Sequence, residues 1–117
     1  MVWQVALADE FHAEYLALSE PVQDELLLAV RLLEVYGPKL GRPHVDTLKG
    51  SKFANMKELR FRASNGVWRV AFAFDPKRSA ILLVAGDKSG TSEARFYKRL
   101  IASAEARYKA HLQRLGM

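Results

Sequence analysis

The chain has 117 residues, half of them hydrophobic, 18 basic against 13 acidic side chains, and no cysteine. That length suits one domain with one core, expected to span residues 1–117. Without cysteine there is no disulfide, thiolate metal site or Cys nucleophile, which fits a cytoplasmic protein. No apolar run approaches the ~20 residues of a membrane span, and the chain starts on an alternating, strand-like segment rather than a signal peptide. The net charge of +5 is unevenly placed. Residues 1–38 hold one basic residue against seven acids, a net of −6, and residues 39–117 carry the balance of +11. A basic portion of this kind attracts phosphates, but it specifies neither a sequence nor a chemistry.

In chain order, Val2 to Leu7 has strand character. Phe11, Tyr15 and Leu18 recur at helical spacing after Asp9, a potential cap. Ser19-Glu20-Pro21 restarts the chain as a longer helix whose apolar stripe is Val22, Leu26, Ala29, Val30 and Leu33. Gly37-Pro38 ends it. Lys39 to Met56 reads as a loop, with Gly41, Pro43 and Gly50 among four basic residues.

Lys57 to Phe74 reads as a hairpin, because Asn65-Gly66 tolerates the positive φ of a type I′ turn. That turn sets Arg62 opposite Arg69 and Arg60 opposite Ala71. By alternation, Leu59, Phe61, Ala63, Trp68, Val70 and Phe72 share one face, and Arg60, Arg62 and Arg69 the other. Arginines directly opposite each other repel by up to about 1 kcal/mol. Such a sheet has reason to place an anion there, and Arg69 is expected to lie exposed. Asp75-Pro76-Lys77-Arg78 makes the next turn, and Ala80 to Ala85 is an apolar run suited to a doubly covered strand. Gly86 to Gly90 is a polar loop, too short for a phosphate loop. Thr91 or Ser92 caps a last helix in which Phe96, Leu100, Ala104, Tyr108, Leu112 and Leu115 form the stripe. The order is β-α-α-β-β-β-α, an α+β fold with a mainly antiparallel sheet.

The segments Met56–Pro76 (MKELRFRASNGVWRVAFAFDP) and Leu82–Ile101 (LLVAGDKSG…RFYKRLI), set in that order of elements, resemble the RelE/ParE toxin superfamily of type II toxin–antitoxin systems, and within it the phage-derived HigB-like branch. The resemblance implies a ribosome-dependent mRNA endoribonuclease that inhibits translation. Its reaction is metal-independent attack of a ribose 2′-OH on the adjacent phosphate, and no cofactor is needed. The implied partners are a cognate antitoxin, mRNA on the ribosome and ribosomal RNA. The gyrase-poisoning branch uses the same fold as an interaction module, and a non-catalytic nucleic-acid-binding module would fit the charge equally.

By the same resemblance, Arg69 is the phosphate clamp of the aromatic-Arg-Val strand motif. Arg60 and Arg62 align with a basic pair that in the RelE branch is two lysines, and arginine is a poor general base. Lys88 matches the basic residue after the last strand, and Tyr97 the aromatic near the C-terminus that stacks on a base or moves a proton. Lys49, Lys52 and Lys57, with Arg95, Lys98 and Arg99 on the last helix, are the candidate RNA contacts. Trp68 is assigned to packing, and Asp87 either caps its loop or orients Lys88 or Tyr97. Val67, Ala71, Ala73, Leu82 and Val84 either meet the antitoxin or lie under the last helix. His12, His44 and His111 have no metal-ligand spacing.

Overall fold

In a computed structural model, which describes residues 2–116, the chain forms β1 (Gln4–Leu7), α1 (Asp9–Ala17), α2 (Glu20–Tyr36), a 3-10 turn at Gly37–Lys39, β2 (Val45–Thr47), β3 (Met56–Ala63), β4 (Gly66–Phe74), β5 (Ser79–Asp87) and α3 (Glu93–Arg114). The sheet runs β1-β5-β4-β3-β2. All its pairs are antiparallel except β1 with β5, which is parallel. The α+β class and helix count match the expectation; β2 does not, since its three residues fall in the stretch read as a loop. No side-chain pattern that short distinguishes a strand, and β2 exists because β3 offers an edge on which Val45 pairs with Leu59 and Asp46 with Glu58.

The hairpin turns one residue earlier than Asn65-Gly66 suggests. Ser64 and Asn65 both adopt positive φ, 50° and 63°, so they are the two central residues of a type I′ turn. Gly66 is the first residue of β4, where a Cβ would come within 2.8 Å of both Asp87 Oδ2 and Trp68 Nε1. The glycine therefore serves close packing, not the turn. The register moves by two residues: Arg60 faces Arg69, Phe61 faces Trp68 and Arg62 faces Val67. A shift of two preserves which side chains share a face.

Helices cover both faces. Leu59, Val70, Phe72 and Leu82 are fully buried on the face under α1 and α2, where Leu26 and Val30 approach Leu82. The opposite face carries α3 and is built from small residues. Ala71 and Ala73 are fully buried, and a Cβ on Gly86 would meet the Phe96 ring at 2.8 Å. So Ala71, Ala73 and Leu82 lie inside the protein and meet no partner; Val67 and Val84 are half-buried. The α3 stripe is as read from the sequence through Phe96, Leu100, Ala104 and Tyr108, all buried, whereas Leu112 is half-buried and Leu115 lies past the end of the helix. Ser92 is its cap, accepting the Arg95 amide. At the start of α1 the cap position is Ala8, and Asp9 is already helical, where its charge suits the dipole. Gly37 closes α2 at φ 55°, packed so tightly under the Trp3 indole that a Cβ would overlap it.

Candidate active site

Alternation along β3 puts Glu58, Arg60 and Arg62 on the α3 face, where Arg69 joins them from β4. The N-terminal half of α3 lowers Tyr97 onto this row, and its hydroxyl donates to Glu58 Oε1 at 2.7 Å. Arg69 Nε lies 3.6 Å from the same oxygen. Both charged residues are buried, Glu58 at 5 % and Arg69 at 7 % exposure. The expected exposed Arg69 is thus corrected: it is buried beside the Glu58 carboxylate, which also accepts the Tyr97 hydroxyl. Burial and the hydrogen bond to Glu58 push the Tyr97 hydroxyl above its ordinary pKa, and the Arg69 charge opposes this only in part. Tyr97 is held as a neutral donor.

Two clefts flank this centre and share Arg60. One, of about 460 Å³, is lined by Asp46, Thr47, Lys49, Glu58, Arg60, Glu93, Ala94 and Tyr97. The other, of about 210 Å³, lies between Pro43, Arg60, Phe61, Arg62, Val67 and Arg69. Arg60 Nε and Arg69 Nε are buried donors with no hydrogen-bond partner among the described residues. Unmade bonds of that kind are costly, at about 1–3 kcal/mol each. Arg69 spends one other donor on the Trp68 carbonyl, and Arg60 has only a loose pair with Asp46 at 3.9 Å.

Lys88 reaches the rim from the loop after β5, its amide bonded to the Val67 carbonyl. Its Nζ sits 2.8 Å from Glu93 Oε1 and 5.9 Å from the centre of the Tyr97 ring. The Lys88 hydrogen bond holds the Glu93 carboxyl below its usual range. Asp87 caps its loop, accepting the Val67 and Ser89 amides and the Ser89 hydroxyl.

The structure brings together Arg60, Arg62, Arg69, Lys49, Lys88 and Tyr97. It separates the other residues considered for RNA contact. Lys57 pairs with Phe72, so it lies on the α1–α2 face, away from the arginines. The Lys52 amide is tied to Glu105 beside α3. Arg95 and Lys98 are exposed on α3, and Arg99 lines a different groove with Asp87, Ser89 and Phe96. Trp68 is only half-buried, stacked on Phe61 at 6.4 Å and 5° between ring planes. Glu58, Asp46 and Glu93 were not singled out by sequence. For Glu58 the signal was present: its parity with Arg60 and Arg62 puts a carboxylate in line with them. Among the described residues no group of three or more His, Asp or Glu side chains is placed to hold a metal ion.

A five-stranded, mainly antiparallel sheet between two N-terminal helices and a C-terminal one is a RelE-like fold. The free E. coli toxin RelE, in an arginine-to-alanine double mutant, superposes with a TM-score of 0.61 at 14 % identity, over 87 % of this chain and 96 % of that one. The sequence profile of the phage-derived Gp49-like protein family (DUF891) matches residues 13–109. A Mycobacterium tuberculosis H37Rv protein named as toxin HigB3 is 44 % identical over 103 residues, 88 % of each chain. A second from that organism, named as toxin HigB2, is 42 % identical over 97 residues, 81 % of this chain and 47 % of its own length. The chain belongs to the phage-derived Gp49-like family and to the HigB-like toxins, on a RelE-like fold. It is accordingly a toxin of a toxin–antitoxin system.

Proposed function

We propose that this toxin is a ribosome-dependent endoribonuclease that cuts mRNA in the cytoplasm and so stops translation. One observation carries the reading: two buried guanidinium donors, Arg60 Nε and Arg69 Nε, stand unpartnered beside a buried carboxylate. A phosphodiester seated in the cleft that Arg60, Arg62 and Arg69 line meets their guanidinium groups from the open side. Arginine suits that task, because its planar fork meets two phosphate oxygens and stays charged.

The reaction that fits is attack of the ribose 2′-oxygen on the adjacent phosphorus, breaking the bond to the 5′-oxygen. Its products are a 2′,3′-cyclic phosphate and a 5′-hydroxyl. Glu58 takes the 2′-OH proton, the task for which the flanking arginines are unsuited. Arg69, Arg60 and the exposed Arg62 stabilise the charge gathering on the phosphorane-like state. Lys88, a cation at the rim, gives a proton to the leaving oxygen. Tyr97 fixes Glu58 through its 2.7 Å bond and offers its ring edge to the substrate. Lys49, in the larger cleft, extends the phosphate path.

The test is primer extension on programmed ribosomes with a defined codon in the decoding site, comparing the wild type with Glu58→Gln. Codon-positioned cuts by the wild type, reduced at least a hundredfold in the variant, are expected. Intact message with inhibited DNA supercoiling would overturn the nuclease reading in favour of gyrase poisoning.

A further inference from the structure

Helix α2 carries apolar residues on both sides. Val22, Leu26, Ala29 and Leu33 face the core. On the outer side, Glu20, Asp24, Leu27, Leu28, Arg31 and Val35 recur at helical spacing, and all six are exposed. Leu27, Leu28 and Val35 are 47 %, 57 % and 59 % exposed. Leu27 and Leu28, with Val35 one turn beyond Arg31, form an exposed apolar patch edged by charge, and a patch of that kind marks an interaction site. The stripe continues into a groove of about 220 Å³ between α2 and the edge strand β1, lined by Val5, Leu7, Tyr15, Leu27 and Val30.

The charge around the stripe selects the occupant. The acids of α1 are committed, Glu14 to Arg107 and Asp9 and Glu10 to Arg114. Those of α2 are not: Glu20, Asp24, Glu25 and Glu34 form no ion pair among the described residues. Arg31 is the one cation within residues 1–38. An RNA backbone or ribosomal RNA is repelled by such a surface. A second copy would have to bring its own basic portion, centred on the arginine row, and so bury the candidate active site.

We infer that the outer face of α2, with its groove against β1, is the docking site for a cationic amphipathic helix of the antitoxin. That segment would set apolar residues at i, i+3 and i+4 against Leu27, Leu28 and Val35, with Lys or Arg meeting Glu20, Asp24 and Glu34. The inference rests on membership of the toxin family and not on RNA cleavage. It places the antitoxin contact on the acidic side of the molecule, on the sheet face opposite Arg60 and Arg69.

The experiment measures the affinity of the cognate antitoxin by titration calorimetry for the wild type, Leu28→Ser with Val35→Ser, and Asp24→Lys with Glu20→Lys. Circular dichroism should be unchanged, because all four positions are exposed. Each double variant should bind at least tenfold more weakly, and the charge-reversal pair should also lose the salt dependence of binding. In the complex, hydrogen exchange should slow in α2 and β1. Affinities within twofold of wild type would overturn the inference, as would slowed exchange confined to β3 and β4. Concentration-dependent dimers of the free chain, abolished by the serine pair, would assign the face to a second copy instead. If the chain cuts no message and the calorimetry still behaves as stated, the nuclease reading fails and the docking site stands.

Discussion

Replacing Arg69 with alanine is the obvious test of a phosphate clamp, and burial complicates it. Arg69 is 7 % exposed and lies 3.6 Å from the Glu58 carboxylate, so its removal leaves a buried charge behind. Breaking a buried pair from one side costs about 3–5 kcal/mol. Here the lower end applies, because Arg69 Nε makes no hydrogen bond and Glu58 keeps the Tyr97 hydroxyl. A loss of about 3 kcal/mol is a large share of the roughly 6–17 kcal/mol expected for a domain of this size. It lowers the melting temperature by about 12 °C. Urea unfolding, followed by tryptophan fluorescence, measures the loss directly. The companion is Glu58→Leu with Arg69→Met, which removes both charges and should recover all but about 1 kcal/mol. That double variant should be folded and inactive, which separates a lost catalyst from a lost fold. Full stability in Arg69→Ala, within about 0.5 kcal/mol of wild type, would refute the buried pair; codon-positioned cutting by the double variant would refute the catalytic roles.

Tyr97 should titrate above 10, the ordinary value for its hydroxyl, and Glu58→Gln should bring it down towards that value; absorbance at 295 nm against Tyr97→Phe checks this, and an unshifted tyrosine would contradict the hydrogen bond. Asp75 titrates below its ordinary 3.8: burial alone would raise it, but the His111 ring and the Ser79 and Lys77 amides outweigh that effect. A depressed carboxyl stabilises the fold above its unfolded pKa and loses that contribution as pH falls through the folded value. Acid unfolding below about pH 4 should therefore be weaker in Asp75→Asn than in wild type, measured by urea melts at pH 6 and pH 3. Phe72→Ala should cost about 3–5 kcal/mol at a fully buried site, whereas Trp68→Ala, half-buried on Phe61, should cost clearly less; equal losses would mean that Trp68 is closed off from solvent.

The sequence was most legible where one rule dominated. Strand alternation placed Arg60, Arg62 and Arg69 on one face because parity survives a two-residue slip. The register itself was not legible: Asn65-Gly66 signals a turn locally, but Gly66 answers to Asp87, 21 positions away in sequence. The β2 strand is too short to leave a pattern, and it forms only because β3 has an edge to offer. Glu58 was hidden by its neighbours. Between Lys57 and Arg60 it reads as a solvated surface acid, and only the descent of Tyr97 from α3 makes it a buried one. The apolar outer face of α2 was visible as LLLAV…LLEV, but a sequence stripe does not say which leucines face out.

The ties between the two ends of the fold have a consequence for its birth. Arg107 grips Glu14 with two bonds and also takes the Leu83 carbonyl. Arg114 reaches Asp9 and Glu10, and β1 finds its partner only in β5. These contacts join the first elements made to the last. Contacts so distant in sequence close late in folding, and during synthesis α1 has no Arg107 or Arg114 to hold until α3 has been translated. Tyr97 reaches Glu58 no sooner. A toxin assembled in this way takes its finished shape only after most of its own message has been read.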